Sequence, residues 1–154
     1  HGRDIFAYTG ARLASGDIHM EDVGPSIPTS LIVELPLKEA VIENNSITGV
    51  IDVIDRAFGN LWTNIHRLQF KQLNVEYGDK FDVSLSINGE VAYEGVVTYG
   101  RSFAAAELGD ALMYVNSLDN IGIALNQGSF ADTYKISTGA NTAITIRKAV
   151  ITIT

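Results

Sequence analysis

The sequence predicts a mainly all-β domain, an antiparallel barrel or sandwich, that follows one N-terminal helix and a linker. Apolar and polar residues alternate over residues 81–87, which is the pattern of a half-buried strand. Asn88-Gly89 comes next and favours a tight hairpin turn, so residues 81–98 are predicted to form a hairpin. Many further short apolar runs are separated by turns rich in glycine and asparagine, as in a sheet that is closed or double-layered.

The first 28 residues follow a different pattern. Ile5, Thr9 and Leu13 recur near helical spacing, Asp4 is suited to the N-cap, and Gly16 suits the end of a helix. Residues 17–28 hold glycine, proline and aspartate without a sustained period and are predicted to be a linker. So short a helix cannot fold alone, and we expect it to dock on this domain or on a preceding one.

Beyond residue 28 the pattern predicts strands and two short helical turns. The other strands are predicted at residues 31–35, 47–54, 60–64, 111–115, 121–125 and 143–154, and the helical turns at 66–73 and 129–134.

Composition narrows the functional classes. Of the 154 residues, 46% are hydrophobic and 19% charged, which is enough apolar material for a packed core. The net charge of −7 and the scattered basic residues argue against nucleic acid as a partner. The lack of cysteine removes thiolate metal sites, and no apolar run approaches the ~20 residues that span a bilayer, so we expect no membrane span. His1, His19 and His66 show no metal-ligand spacing, and none of the common catalytic motifs is present.

Residues 54–65 carry the most information about function. They contain Asp55, Gly59, Asn60 and the only tryptophan, Trp62, and in extended backbone Asn60 and Trp62 share one face. An aromatic wall with a few hydrogen-bonding groups is typical of a small-molecule pocket, and an asparagine amide complements the edge of adenine. A turn at Gly59 followed by a core tryptophan explains the same residues, so both interpretations stay open.

Two further clusters could contribute to a pocket. Residues 99–103 form a glycine-hinged turn that could present Phe103 as a stacking surface. Residues 114–128 combine a polar turn with a strand in which Gly122 and Ala124 allow close backbone approach. Ordinary turn chemistry accounts for each cluster equally well.

Taken together and in this order, these clusters resemble the S-adenosyl-L-methionine (SAM) hydroxide adenosyltransferases, also called SAM hydrolases. Their relatives include the SAM-dependent fluorinase and chlorinase. The resemblance lies in residues 1–7, 55–65, 101–103, Tyr114-x-Asn116-Ser117 and 126–128.

The resemblance implies a two-domain protein with an α/β N-terminal domain and an antiparallel β-barrel C-terminal domain. Residues 1–28 would be the helix and linker at the end of a missing N-terminal domain, and residues 29–154 the barrel. The family implies a cytoplasmic homotrimer that binds SAM between the N-terminal domain of one subunit and the C-terminal domain of its neighbour. No metal or organic cofactor is implied, because SAM itself is the substrate.

The resemblance also implies roles for single residues. Asn60 would bind adenine, Phe103 would stack on it, and the backbone near Gln127 would complete its edge. Trp62 would wall the ribose, while Asp55 would meet the methionine ammonium and Ser117 its carboxylate. Tyr114 and Asn126 belong to the matching blocks and are expected in the substrate site. His1 matches the histidine of a catalytic aspartate, arginine and histidine set that holds and activates water.

The implied reaction is displacement at the ribose C5′ carbon by water or hydroxide, giving adenosine and L-methionine. A non-catalytic β-barrel that binds an adenosine-like ligand is the alternative. Halogenation is disfavoured, because Leu118 stands where the halogenating relatives have an arginine.

Overall fold

The computed structural model describes residues 2–33 and 38–149. The chain separates into two compact units, His1–Leu35 and Pro36–Thr154. The predicted boundary at residue 28 stays a prediction.

The first unit contains the predicted helix, but with a different start. A π-helical segment, Gly2–Ala7, leads into helix α1, Tyr8–Ser15. Asp4 therefore lies inside the helical segment rather than at its N-cap. Gly16 ends α1 as predicted: it adopts a left-handed φ of 78°, and its N–H contacts the carbonyls of the last turn. The predicted linker includes one helical turn, α2, Met20–Val23.

In the second unit the described residues form one sheet of nine strands. They are β1 (Val41–Glu43), β2 (Ser46–Gly49), β3 (Ile51–Asp55), β4 (Asn60–His66), β5 (Lys80–Ile87), β6 (Glu90–Tyr99), β7 (Ala111–Val115), β8 (Asn120–Leu125) and β9 (Thr142–Lys148). Their order across the sheet is β1-β2-β9-β5-β6-β7-β8-β4-β3. Two short helices, α3 (Arg67–Phe70) and α4 (Phe130–Tyr134), follow β4 and β8.

The sheet is mixed rather than antiparallel, and the predicted barrel is not confirmed. Strands β6 and β7 pair in parallel, with Thr98 opposite Leu112. Residues 100–110 connect the two strands, so the chain returns to start β7 in the same direction as β6. Only Val50 lies between β2 and β3, although β2 is near one end of the strand order and β3 is at the other. Among the described residues, no pairing of strands joins the two edge strands, β1 and β3.

Most predicted elements are present. In the 81–98 hairpin, Asn88 and Gly89 both have positive φ, as a type I′ turn requires. The strands at 60–64, 111–115 and 121–125 and both helical turns are confirmed. The run 47–54 is divided between β2 and β3, and the last predicted strand is described as β9 up to Lys148. At 31–35 the prediction is wrong for Leu31, which ends a 3-10 turn, while residues 34 and 35 lie outside the described residues.

The core lies under α3, where inward-facing aromatic residues meet. Phe70 of α3 is fully buried and packs on Phe81 of β5 at 5.1 Å between ring centroids. Its ring also meets Tyr99 of β6 edge-on at 5.2 Å. This packing holds β5 and β6 against α3. No helix in the described part of the chain has the length and apolarity needed to span a membrane.

Tyr99 should make stability sensitive to alkaline pH. Burial, with Tyr77 beside it, raises the pKa of the Tyr99 phenol to about 12. The unfolded chain has an ordinary tyrosine pKa of about 10, so folding favours the protonated phenol. This stabilisation is complete below about pH 10 and is lost as pH rises through about 12.

We therefore expect the free energy of unfolding, measured by urea titration, to fall as pH rises from about 10 to about 12. The fall should be shallower in Tyr99→Phe, whereas the control Tyr8→Phe, at an exposed tyrosine, should keep the full slope. Equal slopes for Tyr99→Phe and the unmodified protein would contradict this assignment.

Candidate functional site

A cleft of about 1140 Å³ opens beside the ends of β3, β4, β7 and β8. All eight binding residues predicted from the sequence line it, namely Asp55, Asn60, Trp62, Phe103, Tyr114, Ser117, Asn126 and Gln127. The structure therefore brings together predicted side chains that are up to 72 positions apart, because Asp55 is the first of the eight and Gln127 the last. His1 lies outside the described residues.

The turn between β3 and β4 positions the acidic wall of the cleft. The backbone carbonyl of Asp55 accepts hydrogen bonds from the N–H groups of Phe58, at 3.2 Å, and Gly59, at 2.7 Å. One carboxylate oxygen of Asp55 accepts from Ala57 N–H at 3.1 Å. The other oxygen makes no hydrogen bond within the described ranges. The turn thus fixes the carboxylate and leaves it acceptor capacity for a cation.

Gly59 attaches this turn to α4. It has a left-handed φ of 69°, and its carbonyl accepts a hydrogen bond from Ala131 N–H at 3.0 Å. A Cβ on Gly59 would overlap Ser129, which caps α4 by accepting from Asp132 N–H. Only glycine satisfies both the conformation and the close approach.

The floor of the cleft crosses β4, β8 and β7, where two aromatic side chains flank a glycine. Trp62 and Tyr114 both lie opposite Gly122 in the strand register. Because Gly122 has no side chain, the indole Nε1 of Trp62 donates a hydrogen bond across it to the Tyr114 hydroxyl at 3.2 Å. The ring of Phe103, from the loop after β6, tilts against Tyr114 at 5.4 Å. We call Trp62, Gly122 and Tyr114 the aromatic row.

The Tyr114 phenol stays neutral over a wide pH range. Its partial burial raises its pKa above the ordinary tyrosine value, and this outweighs the opposing effects of the hydrogen bonds from the side chains of Trp62 and Asn60. A neutral phenol that already accepts from an indole retains its own O–H as a donor for a ligand.

Gly122 is expected to be essential to this floor. A Cβ there would lie 2.8 Å from two ring atoms of Tyr114, so Gly122→Val must displace the ring and break the bond to Trp62. We expect a shift in the emission of the single tryptophan and a lower free energy of unfolding. Ala143→Val, on β9, is the control; unchanged emission and stability in Gly122→Val would rule out the packing role.

Asn126, which was predicted to lie in the substrate site, also ties two loops together. The Asn126 side chain donates to the carbonyl of Ala106 at 2.9 Å, so it ties the loop after β6 to the end of β8. Gln127 then adopts a left-handed φ of 60°. Asn126 thus lines the cleft while its amide nitrogen is engaged by the protein.

Two buried polar atoms have no hydrogen-bond partner among the described residues: Oδ1 of Asn60 and Nδ2 of Asn116. Both residues line the cleft. Asn116 is therefore a candidate site residue to which the resemblance assigned no role, although it lies in the matching block Tyr114-x-Asn116-Ser117. A buried unpaired polar atom costs free energy, which a ligand can recover.

The histidines of the described residues do not form a metal centre. Nδ1 of His66 accepts a hydrogen bond from Leu68 N–H at 3.2 Å, so this residue caps α3. In the part of the chain that the structure describes, no three histidine, aspartate or glutamate side chains cluster to hold a metal ion.

Comparison with known proteins identifies the class of domain. A family model described as the SAM hydroxide adenosyltransferase C-terminal domain matches residues 49–143, which include most of the cleft. The chain belongs to the SAM hydroxide adenosyltransferase family.

Named relatives fall into two groups. A fluorinase from Nocardia brasiliensis is 31% identical over 148 residues, which cover 95% of this chain and 48% of that protein. An (R)-S-adenosyl-L-methionine hydrolase from Salinispora arenicola is 30% identical over 145 residues, covering 94% and 50%. The chain thus spans about half the length of these relatives.

Among solved structures, an uncharacterized conserved protein from Thermotoga maritima is similar with a TM-score of 0.69 and 28% identity. The similarity covers 96% of this chain and 52% of that one.

Proposed function

We propose that the protein containing this chain is a SAM hydrolase, in which water or hydroxide displaces L-methionine from the C5′ carbon of SAM. This chain would supply the C-terminal part of a site shared between subunits of a homotrimer. The observation that carries the proposal is the convergence of Asp55, Asn60 and the aromatic row on one cleft.

The cleft suits the nucleoside part of SAM. Aromatic faces of Trp62, Tyr114 and Phe103 provide stacking and apolar contact for a purine and ribose. The unpaired Oδ1 of Asn60 is an acceptor for an exocyclic amine. Gln127, in its left-handed turn, brings backbone polar groups to the same cleft.

The amino-acid part of SAM requires an anion and hydrogen-bond donors. The Asp55 carboxylate retains an oxygen for the methionine ammonium. Ser117, exposed at the cleft, offers a hydroxyl to the carboxylate. Leu118 next to it is 60% exposed and apolar, so the carboxylate would be bound without an arginine at this position.

In the proposed reaction the oxygen of water forms a bond to C5′ while the C5′–S bond breaks. The sulfur keeps the bonding electrons and leaves as neutral methionine, and one proton is released with adenosine. Because the leaving group is already good, the protein's task is to orient and partly deprotonate one water. His1, by its resemblance to the family's catalytic histidine, is the proposed proton acceptor. No metal or organic cofactor enters this scheme.

Halogenation is the second candidate, because fluorinases are among the relatives with 31% and 32% identity. It predicts 5′-halogenated adenosine when fluoride or chloride is present. A cleft that only binds an adenosine-like ligand predicts affinity without any product.

The test is product analysis by mass spectrometry on the full-length natural protein with the (S) and (R) sulfonium epimers of SAM. We expect equimolar adenosine and L-methionine at a rate that halide does not change. The variant Asp55→Asn should lower kcat/KM by about 10- to 100-fold, through loss of a charge-assisted contact. Asp82→Asn is the matched control, because Asp82 is an exposed residue of β5 that does not line the cleft. Intact SAM of both epimers would overturn the proposal.

A further inference from the structure

Asn116 at the end of β7 has an amide whose orientation is fixed by the protein. Its side-chain oxygen accepts hydrogen bonds from the N–H groups of Leu118, at 2.9 Å, and Asn120, at 3.1 Å. Because both partners are donors, the oxygen faces the turn and the NH₂ group faces away from it. The residue is only 6% exposed, and its Nδ2 has no hydrogen-bond partner among the described residues.

This unpaired donor and the unpaired acceptor of Asn60 lie on opposite sides of the aromatic row. Asn60 precedes Leu61, which is opposite Ile123 of β8, whereas the backbone of Asn116 pairs with Asn120 of β8. Their levels along β8 therefore differ by about four residues, or roughly 13 Å. Both side chains share a face with the row, because Asn60 is two residues from Trp62 and Asn116 two residues from Tyr114.

These two atoms determine which end of a ligand lying across the aromatic row must donate a hydrogen bond and which end must accept one. Oδ1 of Asn60 can only accept a hydrogen bond and therefore needs a donor on the ligand, whereas the NH₂ group of Asn116 can only donate and needs an acceptor. A carboxylate only accepts hydrogen bonds, and the hydroxyl of Ser117 stands next to Asn116 in the chain. The Asn116 end is thus complementary to a carboxylate, and the Asn60 end to an amine-bearing ring.

We propose that Asn116 is a ligand-binding residue whose Nδ2 donates to the substrate carboxylate while its Oδ1 holds the turn that presents Ser117. The assignment rests on the proposed function, since it takes SAM as the ligand. It adds a residue that specifies the amino-acid end and leaves the nucleoside end to Asn60.

The variant Asn116→Asp separates the two roles of this side chain. Aspartate still accepts from the two turn N–H groups, but it replaces the NH₂ donor by an oxygen. The measurement is calorimetric affinity of the full-length protein for S-adenosyl-L-homocysteine and for 5′-methylthioadenosine, which lacks the amino-acid group. We expect affinity for the first to fall about 30-fold or more and affinity for the second to stay within about twofold.

Asn120→Asp places the same charge on the same turn without altering the Asn116 amide, and it should change both affinities by less than about threefold. Equal losses for both ligands in Asn116→Asp, or no loss for either, would overturn the assignment. If the unmodified protein binds neither ligand, the proposed function and this inference both fail. A purely structural role for Asn116 would lower the melting temperature of Asn116→Asp and affect both ligands alike.

Discussion

Replacing Asn60 by leucine is expected to weaken binding of adenosine by about tenfold or more and to change the stability of the protein by no more than about 1 kcal/mol. Asn60 is only 4% exposed, and its Oδ1 has no partner among the described residues. In the unliganded protein this atom carries an uncompensated desolvation cost of about 1–3 kcal/mol. Leucine of similar volume removes that cost together with the acceptor proposed for adenine, but it also removes the hydrogen bond of the Asn60 side chain to Tyr114, so the free energy of unfolding should change by no more than about 1 kcal/mol.

Asn64→Leu is the matched control on the same face of β4. Oδ1 of Asn64 accepts from Val50 N–H at 2.8 Å, and its amide nitrogen contacts the carbonyl of Lys38. Loss of these two hydrogen bonds in Asn64→Leu should therefore lower the free energy of unfolding by about 1–3 kcal/mol and leave the affinity for adenosine unchanged. Calorimetric binding and urea unfolding of the two variants measure both quantities. A destabilised Asn60→Leu that binds adenosine normally would contradict the ligand-binding role.

The second large effect is expected at Gly59, where alanine should cost about 3 kcal/mol or more of stability and greatly weaken ligand binding. The new Cβ meets Ser129 and its backbone, and it also occupies a left-handed conformation at φ 69°. Either the turn that carries Asp55 and Asn60 moves or α4 does, and both line the cleft.

The control Gly89→Ala separates the cost of a left-handed backbone conformation from the cost of steric overlap with Ser129. Gly89 has a similar positive φ of 83°, but a Cβ there meets nothing within 4 Å. This control should lose only about 1 kcal/mol, the cost of a left-handed alanine, and should keep its ligand affinity. Urea unfolding of the two variants gives the comparison; equal losses would show that overlap with Ser129 contributes nothing.

The sequence was most informative where local chemistry determines structure. Asn88-Gly89 can form a type I′ turn with little help from the rest of the chain, and the hairpin was predicted with its turn. The cleft residues were found because Asn60 and Trp62 share one face of an extended strand, and because the ordered blocks resemble a known family.

The features that sequence reasoning missed depend on contacts between distant segments. The parallel pairing of β6 and β7 is decided by the path of residues 100–110, which has no periodic signal. Asn116 reads locally as a turn residue, and its unpaired Nδ2 becomes visible only when the surrounding strands bury it. The signal that could have identified it is its position two residues after Tyr114, which continues the Tyr114 face of β7 just beyond the end of the strand.

Hydrolysis at C5′ is tested most directly by incubating the full-length protein with SAM in water enriched in oxygen-18 and measuring the mass of the adenosine formed. Attack by water on C5′ places one heavy oxygen in the 5′-hydroxyl of adenosine and none in L-methionine. Adenosine without the label, or a product other than adenosine, would contradict the proposed reaction.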